Sequence, residues 1–240
     1  MNELSASLRG FTFNNKHNYR DMGVVMHSKS IQSPSKKMIK DSVPFMNGTY
    51  DFSTIGSAGE ITYNERTIEV VLGLNAINKE RLQVMYSDIL EWLVNNGRSK
   101  LVFDVIKDYY YMAEVESTST FKEVIEFGLL TITFVAQPFK TGVDYATNNL
   151  WDYFNFEEDY LQDSDYDIIS NKVITIYNPR MLTTPIINCS SNMVLLYNSI
   201  TYSLFVGDNK SYGLKLQNGS NILDFTGNGH VKISFRKVGL

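Results

Sequence analysis

The chain is predicted to be mainly β, with an α+β first half built around one main helix and a β-sandwich second half. Three observations carry this. From Leu214 onward, apolar residues alternate with polar ones on both sides of Asn218-Gly219 and Gly227-Asn228-Gly229. Successive side chains there point to opposite faces of a sheet. The 240 residues include 15 Tyr and 14 Phe, which together with Ile, Val and Thr suit a pleated, half-buried surface. Only one segment has clear helical spacing: Leu82, Met85, Tyr86, Ile89, Trp92 and Leu93 recur at three- and four-residue steps and form a single apolar stripe.

Taken in order, Phe11-Thr12-Phe13-Asn14-Asn15-Lys16 predicts a short strand running into an Asn-Asn turn. Val24 to His27 and Ile31 predict further strand, and Pro34 with Lys36-Lys37 predicts an edge or a loop. The segment Val43, Pro44, Phe45, Met46, Asn47, Gly48, Tyr50, Phe52 carries turn chemistry inside an apolar run. A strand over Ile61–Leu74 follows, then the helix, with Asn75 or Asn78 as its cap and Gly97 in the left-handed position past its end. Strands over Lys100–Asp104, Tyr109–Glu116 and Phe121–Val135 complete the first unit, which Pro138 closes.

Residues Val143 to Asn171 contain no Lys or Arg while Asp144, Asp152, Glu157, Glu158, Asp159, Asp163, Asp165 and Asp167 accumulate. This shift predicts a boundary, giving domains 1–140 and 141–240, the second opening with an acidic connector. The aromatic residues inside the connector (Tyr145, Trp151, Tyr153, Phe154, Phe156, Tyr160, Tyr166) predict that it is packed. Val173–Tyr177 is expected to open the second sandwich, which Ile186-Ile187, Met193–Tyr197, Tyr202–Val206 and Leu214–Leu216 continue.

A net charge of −4 argues against a sequence-blind nucleic-acid binder. The single cysteine, Cys189, excludes an internal disulfide and a Cys-rich zinc site. The opening residues lack a basic-then-apolar leader and no apolar run approaches a membrane span, so synthesis in a cytosol and no membrane partner are expected. His17, His27 and His230 share no metal-ligand spacing, and neither a metal nor a cofactor is expected. Asp163-Ser-Asp165-Tyr-Asp167 alternates carboxylates, but Ile168 and Ile174 stand where a calcium loop needs Gly and Glu. It reads as a solvated acidic loop. The acid pairs Asp104 with Asp108 and Glu114 with Glu116 read as solvating groups, so no catalytic residue is assigned and no enzyme is predicted. Asn178-Pro179-Arg180 coincides with a tripeptide of galectin sugar sites, yet Ile176 holds the place of their His and no Trp follows Trp151. A plain turn after a strand accounts for it.

In their order, these segments resemble the distal tail protein (Dit) family of siphophages. The marks are Phe11–Lys16 followed by Asp21-Met-Gly23-Val-Val, Val43–Ser53, Ile68–Leu72, Leu90-Glu-Trp92-Leu93 and Ile132–Phe139. In the second half they are Asn178, Pro185-Ile186, Gly219–Ile222 and Gly227-Asn-Gly229. Some members carry Gly-Arg where this chain has Phe45-Met46. The resemblance implies a structural tail-tip or baseplate hub of the virion: a hexameric ring of first domains and galectin-like second domains projecting outward. The implied partners are other copies of the chain, the major tail tube protein, and a tail-associated tip or receptor-binding protein. Residues 43–52 are then the candidate contact loop, with Phe45, Tyr50 and Phe52 filling the domain's own core as the other reading. A carbohydrate-binding adsorption module is the alternative function, favoured by the aromatic tract Trp151–Tyr160.

Overall fold

The chain divides into two units, Met1–Lys140 with Leu240 and Thr141–Gly239. A computed structural model describes residues 10–55, 57, 59–118, 121–124, 127–146 and 160–240. Of the connector aromatics, Trp151, Tyr153, Phe154 and Phe156 lie outside the described residues.

The first unit contains β1 (Phe11–Phe13), β2 (Lys16–His17), β3 (Val25–Ile31), β4 (Lys40–Asp41), β5 (Tyr50–Asp51) and β6 (Arg66–Asn75). The helix α1 (Lys79–Val94), β7 (Ser99–Phe103), β8 (Tyr109–Thr118), β9 (Lys122–Val124) and β10 (Phe127–Ala136) follow. Its main sheet has the order β2-β1-β7-β8-β10-β6-β3, with β9 on β10 and every pairing antiparallel. The register sets Leu130 against Leu72, Ile132 against Val70 and Phe134 against Ile68, all buried. One face therefore delivers branched and aromatic side chains to a single core, which Leu82, Ile89, Trp92 and Leu93 of α1 join. Trp92 stacks on Phe11 at 5.8 Å, and its indole N–H donates to the Phe13 carbonyl at 3.0 Å.

The Asn-Asn turn forms with Asn14 and Asn15 at φ 48° and 66°, the left-handed pair a tight hairpin needs. Behind it, buried Asn18 accepts from the Phe11 N–H and donates to the Val24 carbonyl, both at 2.7 Å. His17, which the sequence leaves unconnected, is buried here; its Nδ1 accepts from the N–H groups of Tyr19 and Arg20. Nε2 must then carry the proton, and it donates to Asp104 at 3.0 Å. The Asp104 carboxylate is thus a structural acceptor, shared with the Gly10 N–H, and not half of an acid pair. Glu114 is likewise engaged, since Arg98 bridges it to Glu65.

Three boundaries depart from expectation. Asn78, not Asn75, caps α1 by accepting from the Arg81 N–H, but the helix ends on Asn95 in right-handed geometry and Gly97 is not left-handed. Asn96 performs the closure instead, donating to the Trp92 carbonyl. The strand expected at Ile61 starts at Arg66, because residues 61–64 belong to a separate ribbon. The run Phe121–Val135 is two strands, β9 and β10, paired with each other.

The second unit holds β11 (Lys140–Tyr145, from Thr141 on), β12 (Asp165–Asn178), β13 (Ile186–Cys189), β14 (Met193–Tyr197) and β15 (Ile200–Leu204). β16 (Gly207–Asn209), β17 (Gly219–Ser234) and β18 (Arg236–Gly239) complete it. The sheet order is β15-β14-β17-β13-β16 with β12 also on β17, and β11 pairs with β18. Leu195 faces Phe225, Ile174 faces Leu223 and Ile187 faces Ile233, and all six are buried in one core. Asn221, 2% exposed, is the polar centre of this unit. It donates to the carbonyls of Ile176, Gln217 and Gly219 and accepts from the Tyr197 hydroxyl and the Gln217 N–H. An amide with every bond made fixes register without a desolvation penalty. Leu214–Leu216 is not a strand of the sheet; Leu216 makes only a bridge to Thr183.

The acidic loop is a strand. β12 begins at Asp165, eight residues before the expected start at Val173, and pairs with β17 over its whole length. Cross-strand charge explains the difference: Asp165 lies opposite Lys232 and Asp167 opposite His230. His230 reaches Asp167 at 3.0 Å and Asp165 at 3.3 Å, and these bonds, Asp167 first, raise its pKa above the ordinary value. A raised folded value means that the stabilisation is complete below the unfolded pKa and is lost as pH rises through the folded one. The ring is exposed, so the effect on stability is small. In an NMR pH titration, His230 should titrate above an ordinary histidine, and Asp167→Asn should bring it back down. An unchanged value would remove the cluster.

Cys189 is buried, and burial pushes its thiol up, the opposite of nucleophile activation. Asn178 is buried too, donating to the carbonyls of Met181 and Leu216 and accepting from the Arg180 N–H. The tripeptide Asn178-Pro179-Arg180 is therefore spent on a turn.

Candidate functional site: an exposed apolar arm

Residues 35–64 leave the first unit's sheet as a narrow ribbon. Its base is held by the Asn64 N–H donating to the Ser35 carbonyl, the Lys37 N–H to the Thr62 carbonyl, and a bridge between Lys36 and Tyr63. Farther out, the Phe52 N–H donates to the Ile39 carbonyl at 2.8 Å and the Ile39 N–H to the Ser53 hydroxyl at 2.8 Å. β4 and β5 then pair, Lys40 with Asp51 and Asp41 with Tyr50. The Ser53 hydroxyl, and after it the Ser53 N–H, holds the Asp51 carboxyl below its ordinary pKa. Asp51 therefore stays ionised and organises the turn into the outgoing strand.

The tip is closed by Val43, Pro44, Phe45 and Met46, with the Met46 N–H donating to the Val43 carbonyl at 3.2 Å. Phe45 takes φ 68° and Gly48 φ 90°. For glycine this costs little, but a bulky side chain in the left-handed region is strained by about 1–2 kcal/mol. Phe45 is nevertheless fully exposed, so no contact within the chain offsets that strain.

Each expected contact residue can now be placed. Val43, Phe45, Met46, Tyr50 and Phe52 are all exposed large apolar groups, and Pro44, Asn47 and Gly48 are exposed between them. Tyr50 and Phe52 stack on each other at 6.2 Å, and neither belongs to the first unit's core. The reading in which Phe45, Tyr50 and Phe52 fill their own domain is thus not what the structure has. The arm also exposes Met38, Ile39, Ile55 and Ile61, which the sequence reading missed. The available signal was Pro34 and Lys36-Lys37 before a further apolar run, a pattern of edges rather than cores. Lys36, Lys37 and Lys40 add a cationic stem. Chemically the arm offers hydrophobic area and backbone edges and no reacting group. Among the described residues, no group of three or more His, Cys, Asp or Glu could hold a metal ion.

Residues 22–136, which include the whole arm, match the family described as the phage tail protein RIFT-related domain. Across nearly the full length, the structure superposes on the Dit protein of phage SPP1. The TM-score is 0.65 at 13% identity, covering 96% of this chain and 99% of that one. The chain has the fold of a siphophage distal tail protein. The SPP1 protein is described as a paradigm of the hub adsorption apparatus in phages that infect Gram-positive bacteria. No curated protein sequence matches the chain. Its β-rich Dit fold is therefore visible through structure and through the tail-domain match, which together bear out the resemblance read from the sequence. In this distal tail fold the arm carries exposed large apolar side chains, and none of its residues belongs to the first unit's core.

Proposed function

We propose that this distal tail-like chain is a structural hub of a siphophage tail tip, working by association and transforming no substrate. Copies of residues 1–140 close a hexameric ring, head to tail, so that one patch of each copy meets a different patch of the next. The arm supplies one of those patches. Residues 141–240, read as a galectin-like domain, project from the ring. One side of the ring continues the major tail tube protein; the other carries a tail-associated tip protein or a receptor-binding protein. The protein is made in the bacterial cytoplasm and resides in the virion. The observation that carries this reading is the full-length likeness to a hub protein. A strained, fully exposed aromatic on an apolar arm supports it, because free monomers rarely keep contiguous apolar surface in water.

Light scattering and electron microscopy of the purified chain test it. The expected result is a closed ring with a mass six times 27.4 kDa, and residues 1–140 alone should assemble the same way. A full-length chain that stays monomeric, both alone and with its tail tube protein, would overturn the hub reading.

A further inference from the structure

The second unit contains a hollow that the hub reading does not use. β14 and β15 are joined by Asn198-Ser199, both left-handed at φ 49° and 63°, which is a two-residue hairpin of the type that matches strand twist. Tyr197 and Ile200 face each other across it, and the ladder continues Leu196 with Thr201, Leu195 with Tyr202 and Val194 with Ser203. In such a hairpin the residues next to the turn exchange hydrogen bonds and the following pair does not. Thr201 and Ser203 therefore turn their N–H and C=O groups away from β14. β15 is an edge strand, so these groups face the opposite side, where Asp208–Ser211 and Leu214 form a second wall. The Tyr202 hydroxyl ties the walls together by donating to the Gly213 carbonyl at 3.0 Å.

The result is a recess of about 480 Å³, within the size range of small-ligand sites, roughly 300–1,000 Å³. Its lining is sorted into fixed and free groups. Asn209 is fixed: it accepts from the Phe205 N–H and donates to the carbonyls of Phe205, Gly207 and Ile187. Asn188 holds one oxygen of Asp208 at 2.7 Å and leaves the other available. Among the described residues, the Lys210 ammonium and the hydroxyls of Thr201, Ser203 and Ser211 have no partner. Tyr212, 84% exposed, follows Ser211 in the chain without lining the recess itself. The two charges, Lys210 and Asp208, have opposite signs.

A neutral recess rich in short donors and acceptors, with the aromatic Tyr202 in its lining, suits a polyhydroxylated ring better than an ion or an apolar ligand. We propose that the recess between β15 and the Asp208–Leu214 segment binds an uncharged pyranose unit. Thr201, Ser203, Lys210 and Asp208 would bond its hydroxyls beside the Tyr202 ring. This reading is independent of the ring. It locates a saccharide site in a place unrelated to Asn178-Pro179-Arg180, whose amide is already spent.

The test is an amide NMR titration of the full-length chain with glucose, galactose and N-acetylglucosamine in turn. At least one sugar should produce saturable shifts confined to residues 201–204 and 208–214, with a dissociation constant on the order of 1 mM. Lys210→Ala combined with Ser203→Ala should weaken binding about tenfold, as expected for two lost hydrogen bonds. Because both side chains are on the surface, the variant should keep the parent melting temperature. No localised shift with any of the three sugars at about 50 mM would overturn the proposal. The same amides responding only to a blocked Lys-Thr-Val-Thr-Val-Lys peptide would overturn it too, and would assign the open β15 edge to strand addition. Neither outcome touches the ring, which the mass measurement judges separately.

Discussion

If the proposed ring forms through the arm, Phe45→Gly should dissolve it while leaving the protomer as stable as before, or slightly more so. The two effects come from the same residue. At φ 68° the phenylalanine backbone sits in a region that glycine occupies at little cost, so the change relieves about 1–2 kcal/mol of strain. Part of that is returned through the larger entropy of an unfolded glycine, about 0.4–1 kcal/mol. No core contact is lost, because the ring is fully exposed. An exposed aromatic seated in a neighbour's pocket, however, commonly contributes about 2 kcal/mol or more, roughly a thirtyfold change in each dissociation constant. Every junction of a ring would suffer it. Sedimentation velocity should show monomer where the proposal expects the parent protein to be a hexamer, with thermal melts nearly superimposed. A melting temperature several degrees lower would mean that Phe45 packs inside its own domain after all. An intact ring would mean that the arm is not a contact.

Trp92→Ala should cause the largest loss of stability of any single change proposed, about 3–5 kcal/mol. The indole fills the space between α1 and the sheet, stacks on Phe11, and satisfies the Phe13 carbonyl at 3.0 Å. Truncation leaves a cavity and also removes a donor from the Phe13 carbonyl. Trp92→Phe keeps most of the volume and removes only the donor, so it should cost about 1–3 kcal/mol. Urea denaturation followed by circular dichroism measures both. If the alanine variant lost less than the phenylalanine variant, helix and sheet would not be packed through this residue.

What the sequence disclosed and what it withheld follow the range of each interaction. The hairpin at Asn14-Asn15 and the helix with its Asn78 cap are written locally: two residues tolerant of positive φ, one apolar stripe, one cap three residues before an N–H. The arm was half legible. Its turn residues and its apolar character are in the sequence, but alternation cannot say whether Tyr50 and Phe52 face a core or water. That depends on whether another layer of the fold covers them. Met38, Ile39, Ile55 and Ile61 escaped notice for the same reason. The start of β12 was hidden because an acidic run looks solvated until its counter-charges, His230 and Lys232, arrive from a distant strand. The link between His17 and Asp104 spans most of the first unit and has no local trace. The recess beside β15 was invisible too, since it is made by the free side of an edge strand rather than by a motif.

One strand also governs when the protein can be finished. β17 is the shared neighbour of β12, β13 and β14, so the three earlier strands gain their common partner only when residues 219–234 have been synthesised. The seven-strand path β2-β1-β7-β8-β10-β6-β3 of the first unit, by contrast, lies within residues 11–136. Since domains tend to fold as units during synthesis and distant pairings close slowly, a growing chain can complete its leading part while the trailing part waits on the ribosome. Newly made copies would then present the exposed arm of residues 35–64 to one another before their own carboxy-terminal halves have closed.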